Sequence, residues 1–299
     1  MTAPRRVLPG GTYLVTRRCS ERRFFLRPSA QTNATLLYVL AVAAKRFGVL
    51  VHTCCAMSNH LHLVVTDPCA RLPAFMQYLD SLIARAVNAS LGRFEGFWAR
   101  DPGYSAVEPI DRDDVVAKCA YVLANPVAAG LVRRGRDWPG LRLAALDADG
   151  TRLVARRPEH FFSADGQMPL EIELELTAPP QLASGAEFGE LLTDAADQLE
   201  GRHRREFEAA GIHFLGVARV LAQNPFARPA ARATRFTLNP RIAGRDRWKR
   251  METIARLKSF LQGYRDAWRA RRLGIEGILF PAGTYLMRVL HGVPCASTA

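Results

Sequence analysis

Lysine is scarce in this chain. Its only positions are Lys45, Lys118, Lys249 and Lys258, so arginine carries nearly all of the formal net charge of +13 and the pI near 10.1. A basic excess of that size makes nucleic acid the first partner to consider. Long apolar runs are missing as well: the longest, residues 36–44, falls far short of the roughly 20 residues that span a bilayer. Pro4, Pro9, Gly10 and Gly11 interrupt the segment where a signal peptide needs its apolar core. A globular, cytoplasmic protein with no membrane partner is expected. The six cysteines form no CxxC pair and no framework spacing, which fits reduced thiols. There is also no GxxxxGK[ST] loop, so no cradle for ATP is implied.

What is present centres on Met57-Ser58-Asn59-His60-Leu61-His62-Leu63-Val64-Val65. In a strand, side chains two residues apart project in parallel, so His60 and His62 share a face while Leu61 and Leu63 point into the layer beneath. Two imidazoles on one strand face make half of a divalent-metal site. The plainer alternative is a hydrogen-bonded surface pair.

The flanking segments place that strand in a domain. Residues 12–18 read as a strand opened by Gly10-Gly11, and an arginine-rich stretch follows with Arg17, Arg18, Arg22, Arg23 and Arg27. Pro28-Ser29 begins a helix whose Leu36, Leu37, Leu40, Ala44 and Phe47 recur at helical spacing, ended by Gly48. Residues 49–57 form a second strand that turns at Ser58-Asn59 into the histidine strand, a hairpin closing at Asp67-Pro68. Residues 71–91 predict a second amphipathic helix, and 96–100 and 104–107 are expected to pair across an Asp101-Pro102-Gly103 turn. Acids at 111–114 cap a third helix, 113–124, whose regular part Asn125-Pro126 should end. The order predicts an α+β fold, with an antiparallel sheet and helices packed on it.

The third helix carries Tyr121 and, one turn later on the same face, Asn125. On a generic helix Tyr121 would read as a core or interface tyrosine. Beside two imidazoles it becomes a phenol next to a cation with open positions, which is the composition of a phosphoryl-transfer site.

With those residues in place, the strings GGTYLVTRR, AMSNHLHLVV, FWARDPGYSA and YVLANPVAAGLV resemble the single-tyrosine HUH transposases, and within them the REP-associated tyrosine transposases. The resemblance covers about the first half of the chain. It implies a ferredoxin/RRM-like HUH core and Mg²⁺ or Mn²⁺ bound by His60, His62 and Asn125. It further implies attack by Tyr121 on single-stranded, hairpin-containing DNA, giving a 5′-phosphotyrosine and a free 3′-OH. A nucleoid-associated location and, as one permitted assembly, a homodimer go with it. Two positions depart from the family's pattern: Ala128 stands where a basic residue is usual, and Asn125 is a weaker cation ligand than a carboxylate. A domesticated, sequence-specific DNA-binding regulator that has lost cleavage is the alternative reading. Arg17, Arg18, Arg22, Arg23, Lys118, Arg133 and Arg134 are the candidate DNA-binding residues, while Trp98 and Tyr104 either stack bases or pack in the core.

Charge divides the remainder. Residues 151–199 hold 3 Arg against 9 acids, whereas residues 200–299 hold 19 basic residues against 7 acidic ones. The expected organisation is a catalytic domain over 1–149, an acidic, proline-containing irregular connector over 150–199 with one strand-like run, Glu171-Ile172-Glu173-Leu174-Glu175-Leu176, and a basic, mainly helical accessory region over 200–299. Helices are expected there at 188–199, 212–221 and 245–272.

Overall fold

A computed structural model describes residues 4–100, 103–146, 150–163, 165–230 and 240–297. The first six elements are β1 (Gly11–Arg18), α1 (Ala30–Phe47), β2 (Leu50–Met57), β3 (His60–Asp67), α2 (Leu72–Ser90) and β4 (Ser105–Pro109). Their strands lie in the order β2-β3-β1-β4, each antiparallel to its neighbour. Local chemistry sets the boundaries. Ser29 accepts the Thr32 amide at 3.0 Å to start α1, and Gly48, at φ 65°, ends it in a left-handed conformation that costs a glycine little. The Asp67 carboxylate collects the amides of Arg71 and Leu72 at 2.9 and 2.6 Å, which anchors the start of α2 to the end of β3.

Next come α3 (Arg112–Ala128), β5 (Arg142–Ala144), β6 (Thr151–Arg156), β7 (Glu171–Leu176) and α4 (Gly185–Ala209). The chain then forms α5 (Val217–Leu221), β8 (Ile242–Ala243), α6 (Arg247–Arg272) and α7 (Leu286–His291). α3 packs along α4 and lies on β2 and β3. Because β2 and β3 are buried on both faces, α3 and α4 cover one side of the sheet and α1 and α2, packed on each other, cover the other. No helix among the described residues is long and apolar enough to cross a membrane.

Four expectations are corrected here. The sheet is mixed rather than antiparallel throughout, since β7 runs parallel to β2 at Val51↔Leu176 and β8 runs parallel to β4. The pairing of 96–100 with 104–107 does not form. Both segments use the free edge of β1 instead, through Ala99 N–H to Arg18 O at 2.9 Å and through the β4 ladder; Asp101 and Pro102 of the expected turn lie outside the described residues. An unpaired edge presents a whole row of donors and acceptors, which outweighs a short local turn. α3 continues past Asn125-Pro126 to Ala128, because the proline sits in the last turn, where its missing N–H costs a single intrahelical bond. Finally, residues 150–199 are not irregular: they hold the β6–β7 hairpin and the first part of α4. Ile172, Leu174 and Leu176 alternate inward while Glu171, Glu173 and Glu175 face out toward Arg152 and Arg156.

Of the later helices α6 follows its expected span closely, whereas α4 runs ten residues past the expected end at 199 and α5 keeps only the second half of 212–221; the region beyond 200 is interleaved with the rest. Val7 N–H donates to Gly283 O at 2.9 Å and Phe24 N–H to Ala227 O at 3.0 Å, so N-terminal segments are pinned by later chain. A second, small core joins Ala267 of α6 to Phe280 and Val293.

Candidate active site

The antiparallel register puts Thr16 opposite His62 and Arg18 opposite His60, so the four side chains share the face that α3 covers. The histidine rings stand nearly perpendicular, with centroids 4.6 Å apart. Tyr121 of α3 meets the His62 ring at 5.4 Å and 78°. Helical spacing brings Asn125 beneath it, and the Asn125 amide touches both the His60 ring and the Tyr121 phenol. His60, His62, Tyr121 and Asn125 are therefore brought together.

Hydrogen bonds orient both imidazoles and fix the tautomer of His60. Asn59 Nδ2 donates to Arg22 O at 3.1 Å, which turns its Oδ1 toward His60 Nδ1, 2.6 Å away. A carboxamide oxygen only accepts, so the His60 proton sits on Nδ1 and the Nε2 lone pair is left for another partner. His62 Nδ1 meets the Thr16 hydroxyl at 2.9 Å, and its Nε2 is buried with no hydrogen-bond partner among the described residues. Burial lowers both histidines, His60 to about 4 with Arg18 and Arg22 pushing the same way, and His62 well below its ordinary value. Both rings are thus neutral and able to ligate at neutral pH.

An orphaned, buried imidazole nitrogen, a neighbouring ring whose Nε2 lone pair is free and an amide one helical turn from a phenol fit a divalent cation with open coordination positions. No cluster of three His, Cys, Asp or Glu side chains suited to a metal occurs among the described residues, so the amide of Asn125 would have to complete the set. Asn125 is itself only 8% exposed, whereas Tyr121 is 41% exposed, which leaves the phenol open to a large substrate. Desolvation raises the Tyr121 pKa and the Asn125 contact opposes that rise.

The candidate DNA-binding residues are placed unequally. Arg17 is largely withdrawn from solvent: its side chain is 12% exposed, pairs with Asp80 at 2.7 Å and donates to Ala99 O at 2.8 Å. Arg23 pairs with Glu21 and donates to Phe226 O. Arg133 pairs with Glu208 at 2.7 Å. Arg18 and Arg22 stand near His60, and Arg134 is exposed. Lys118, one turn before Tyr121, lines a depression of about 280 Å³ with Asp114, Arg245 and Arg250. Trp98 is core, its indole donating to Asp80 O at 2.8 Å.

Sequence reasoning passed over Thr16, Asn59, Arg245 and Arg250. Thr16 and Asn59 carried a usable signal, one by its strand parity and the other by standing next to His60. Arg245 and Arg250 are carried to α3 by the β4–β8 pairing and by the Arg245 N–H, which donates to Asp114 Oδ1 at 3.0 Å.

No protein-family model matches the chain, and no curated protein matches it. Among solved structures, a REP-associated tyrosine transposase bound to a REP hairpin is similar over 46% of this chain and 78% of its own, at 18% identity and a TM-score of 0.39. A putative transposase from Deinococcus radiodurans is similar over 36% of this chain and 85% of its own, at 18% identity and a TM-score of 0.28.

Proposed function

We propose that this protein is a metal-dependent, single-tyrosine HUH endonuclease and transesterase that cuts and rejoins single-stranded DNA, in the manner of REP-associated tyrosine transposases. The observation that carries the reading is the convergence of His60, His62 and Asn125 on Tyr121, with the His62 Nε2 left unpartnered. The β2-β3-β1-β4 order is that of a ferredoxin-like sheet, which suits the same reading. Mg²⁺ or Mn²⁺ would be held by His60, His62 and Asn125. When bound, the cation offsets the charge on a non-bridging phosphate oxygen.

The protein's own residues do the rest. Asn59 holds His60 in the ligating tautomer, Thr16 orients the His62 ring, and Asn125 orients the Tyr121 hydroxyl. In the reaction the Tyr121 oxygen forms a bond to phosphorus as the P–O3′ bond breaks. The phenolic proton passes to solvent and the 3′ oxygen takes one up, leaving a 5′-phosphotyrosine and a 3′-OH. Phosphodiester energy is retained in the new ester, so the reverse step needs no ATP. Arg18, Arg22 and Lys118 border the site and suit a hairpin-containing strand.

Incubation with Mn²⁺ and labelled single-stranded oligonucleotides, taken from DNA flanking the coding sequence, tests this on denaturing gels. A labelled band at protein mass, absent in Tyr121→Phe and His60→Ala, is the expected result. Binding with no adduct across that set would favour the regulator instead.

A further inference from the structure

Between α6, the N-terminal segment and the residue that precedes β4, Tyr104, lies a cavity of about 630 Å³ that none of the site residues lines. Its walls include Tyr104, Tyr264 and Trp268, with Arg5, Arg265 and Arg269 among them, and none of the described residues that line it is acidic. The Arg5 guanidinium already lies 3.6 Å above the Tyr104 ring, so one flat cation is stacked in place. Trp268 has Arg272 over its ring at 4.9 Å. Arg265 and Arg269 are exposed and held only by Gln262 at 2.8 Å and Asp266 at 3.9 Å, partners that an incoming phosphate can replace.

We infer that this cavity is a second DNA site, which takes an unpaired nucleobase between its aromatic walls and the flanking phosphates on Arg265 and Arg269. An apolar peptide or a lipid tail would set three guanidinium groups against apolar matter while adding no acceptor to the ones they already have, Gln262, Asp266 and the Tyr104 carbonyl. A nucleotide uses both halves of the lining, since every base has a π-face and every linkage an anion. The volume falls in the range of about 300–1,000 Å³ usual for small-ligand pockets. The inference rests on the proposed single-stranded DNA substrate, yet it concerns a surface on which Tyr121 has no part.

The test uses the full-length protein and a fluorescein-labelled pentathymidylate, followed by anisotropy over a salt series, with an oligomer abasic at the central position for comparison. The thymidylate should bind at least tenfold tighter than the abasic oligomer. The Arg265→Ala/Arg269→Ala double variant should lose at least tenfold in affinity and reduce the slope of log K against log salt by about 1.4, as expected for two single-strand phosphate contacts. Pentathymidylate should quench tryptophan emission, and Trp268→Phe should remove most of the quenching. Unchanged affinity and slope in the double variant overturn the site, as does equal binding of the abasic oligomer. The two readings fail separately. Pocket-dependent binding with no Tyr121 adduct would refute the nuclease alone, whereas an adduct with pocket-independent binding would refute the cavity alone.

Discussion

Thr16 and His62 face each other across the β1–β3 ladder, and the Thr16 hydroxyl is 2.9 Å from His62 Nδ1. That contact holds the ring so that Nε2 points into the site. Thr16→Val preserves shape and removes the hydroxyl, so the ring loses the hydrogen bond that orients it. Mn²⁺ affinity, measured by titration calorimetry, should fall about 10- to 100-fold with little change in thermal midpoint. An unchanged affinity would mean that Thr16 does not orient the ring.

Asn125 touches both His60 and Tyr121. Truncation by Asn125→Ala removes a proposed ligand and the group that opposes the rise in the Tyr121 pKa. Adduct formation under single-turnover conditions should slow about 100-fold or more, within the range seen when a positioned catalytic group is lost. Equal rates for the variant and the wild type would remove Asn125 from the site.

His52 closes a buried chain of hydrogen bonds: its Nδ1 is 2.6 Å from Thr177 O, its Nε2 2.7 Å from Thr66, and Thr66 is 2.8 Å from Thr12. Burial lowers its pKa from 6.5 to about 4. The unfolded chain therefore binds a proton that the folded one refuses, and stability present above pH 6.5 is lost as pH falls toward 4. The loss attached to this ring is on the order of 3 kcal/mol. His60 acts in the same direction. Urea midpoints at pH 7.5 and pH 4.5 should show the His52→Gln variant less stable at the higher pH but with a flatter pH dependence.

Gly135 lies where a Cβ would collide with Glu200 Oε1 and come within 2.9 Å of the Leu123 carbonyl. Glu200 is buried and sits between Arg142 at 3.7 Å and Arg204 at 3.5 Å, where it ties α4 to β5, and Arg142 in turn donates to the Leu123 carbonyl of α3. Gly135→Ala should destabilise the protein by about 1–3 kcal/mol, read as a shift in urea midpoint. Because α3 carries Tyr121, adduct formation should also become more temperature-sensitive.

The central strands and helices were legible because their signals are local. Ser29, Gly48 and Asp111 act at the positions where capping chemistry places them, and the His-x-His parity fixes a shared face. The meeting of the histidine strand with Tyr121 and Asn125 was reached by joining two such signals. Long-range partners were not legible. Arg17 and Asp80 are each unremarkable alone, and only the docking of α2 beside β1 makes them an ion pair. The Glu-Ile-Glu-Leu-Glu-Leu run announces a half-buried strand, but periodicity does not say which edge it joins.

The strands on either side of the histidine hairpin acquire their outer neighbours late, since β7 completes the β2 side and β8 the β4 side. During synthesis the chain therefore emerges with the site's residues already made but both flanks of its sheet open to other strands. A fragment that stops after α3 keeps that exposure permanently. Expressing only the half with the family-like motifs would therefore favour aggregation, and the later half acts in part as the former half's own edge protection.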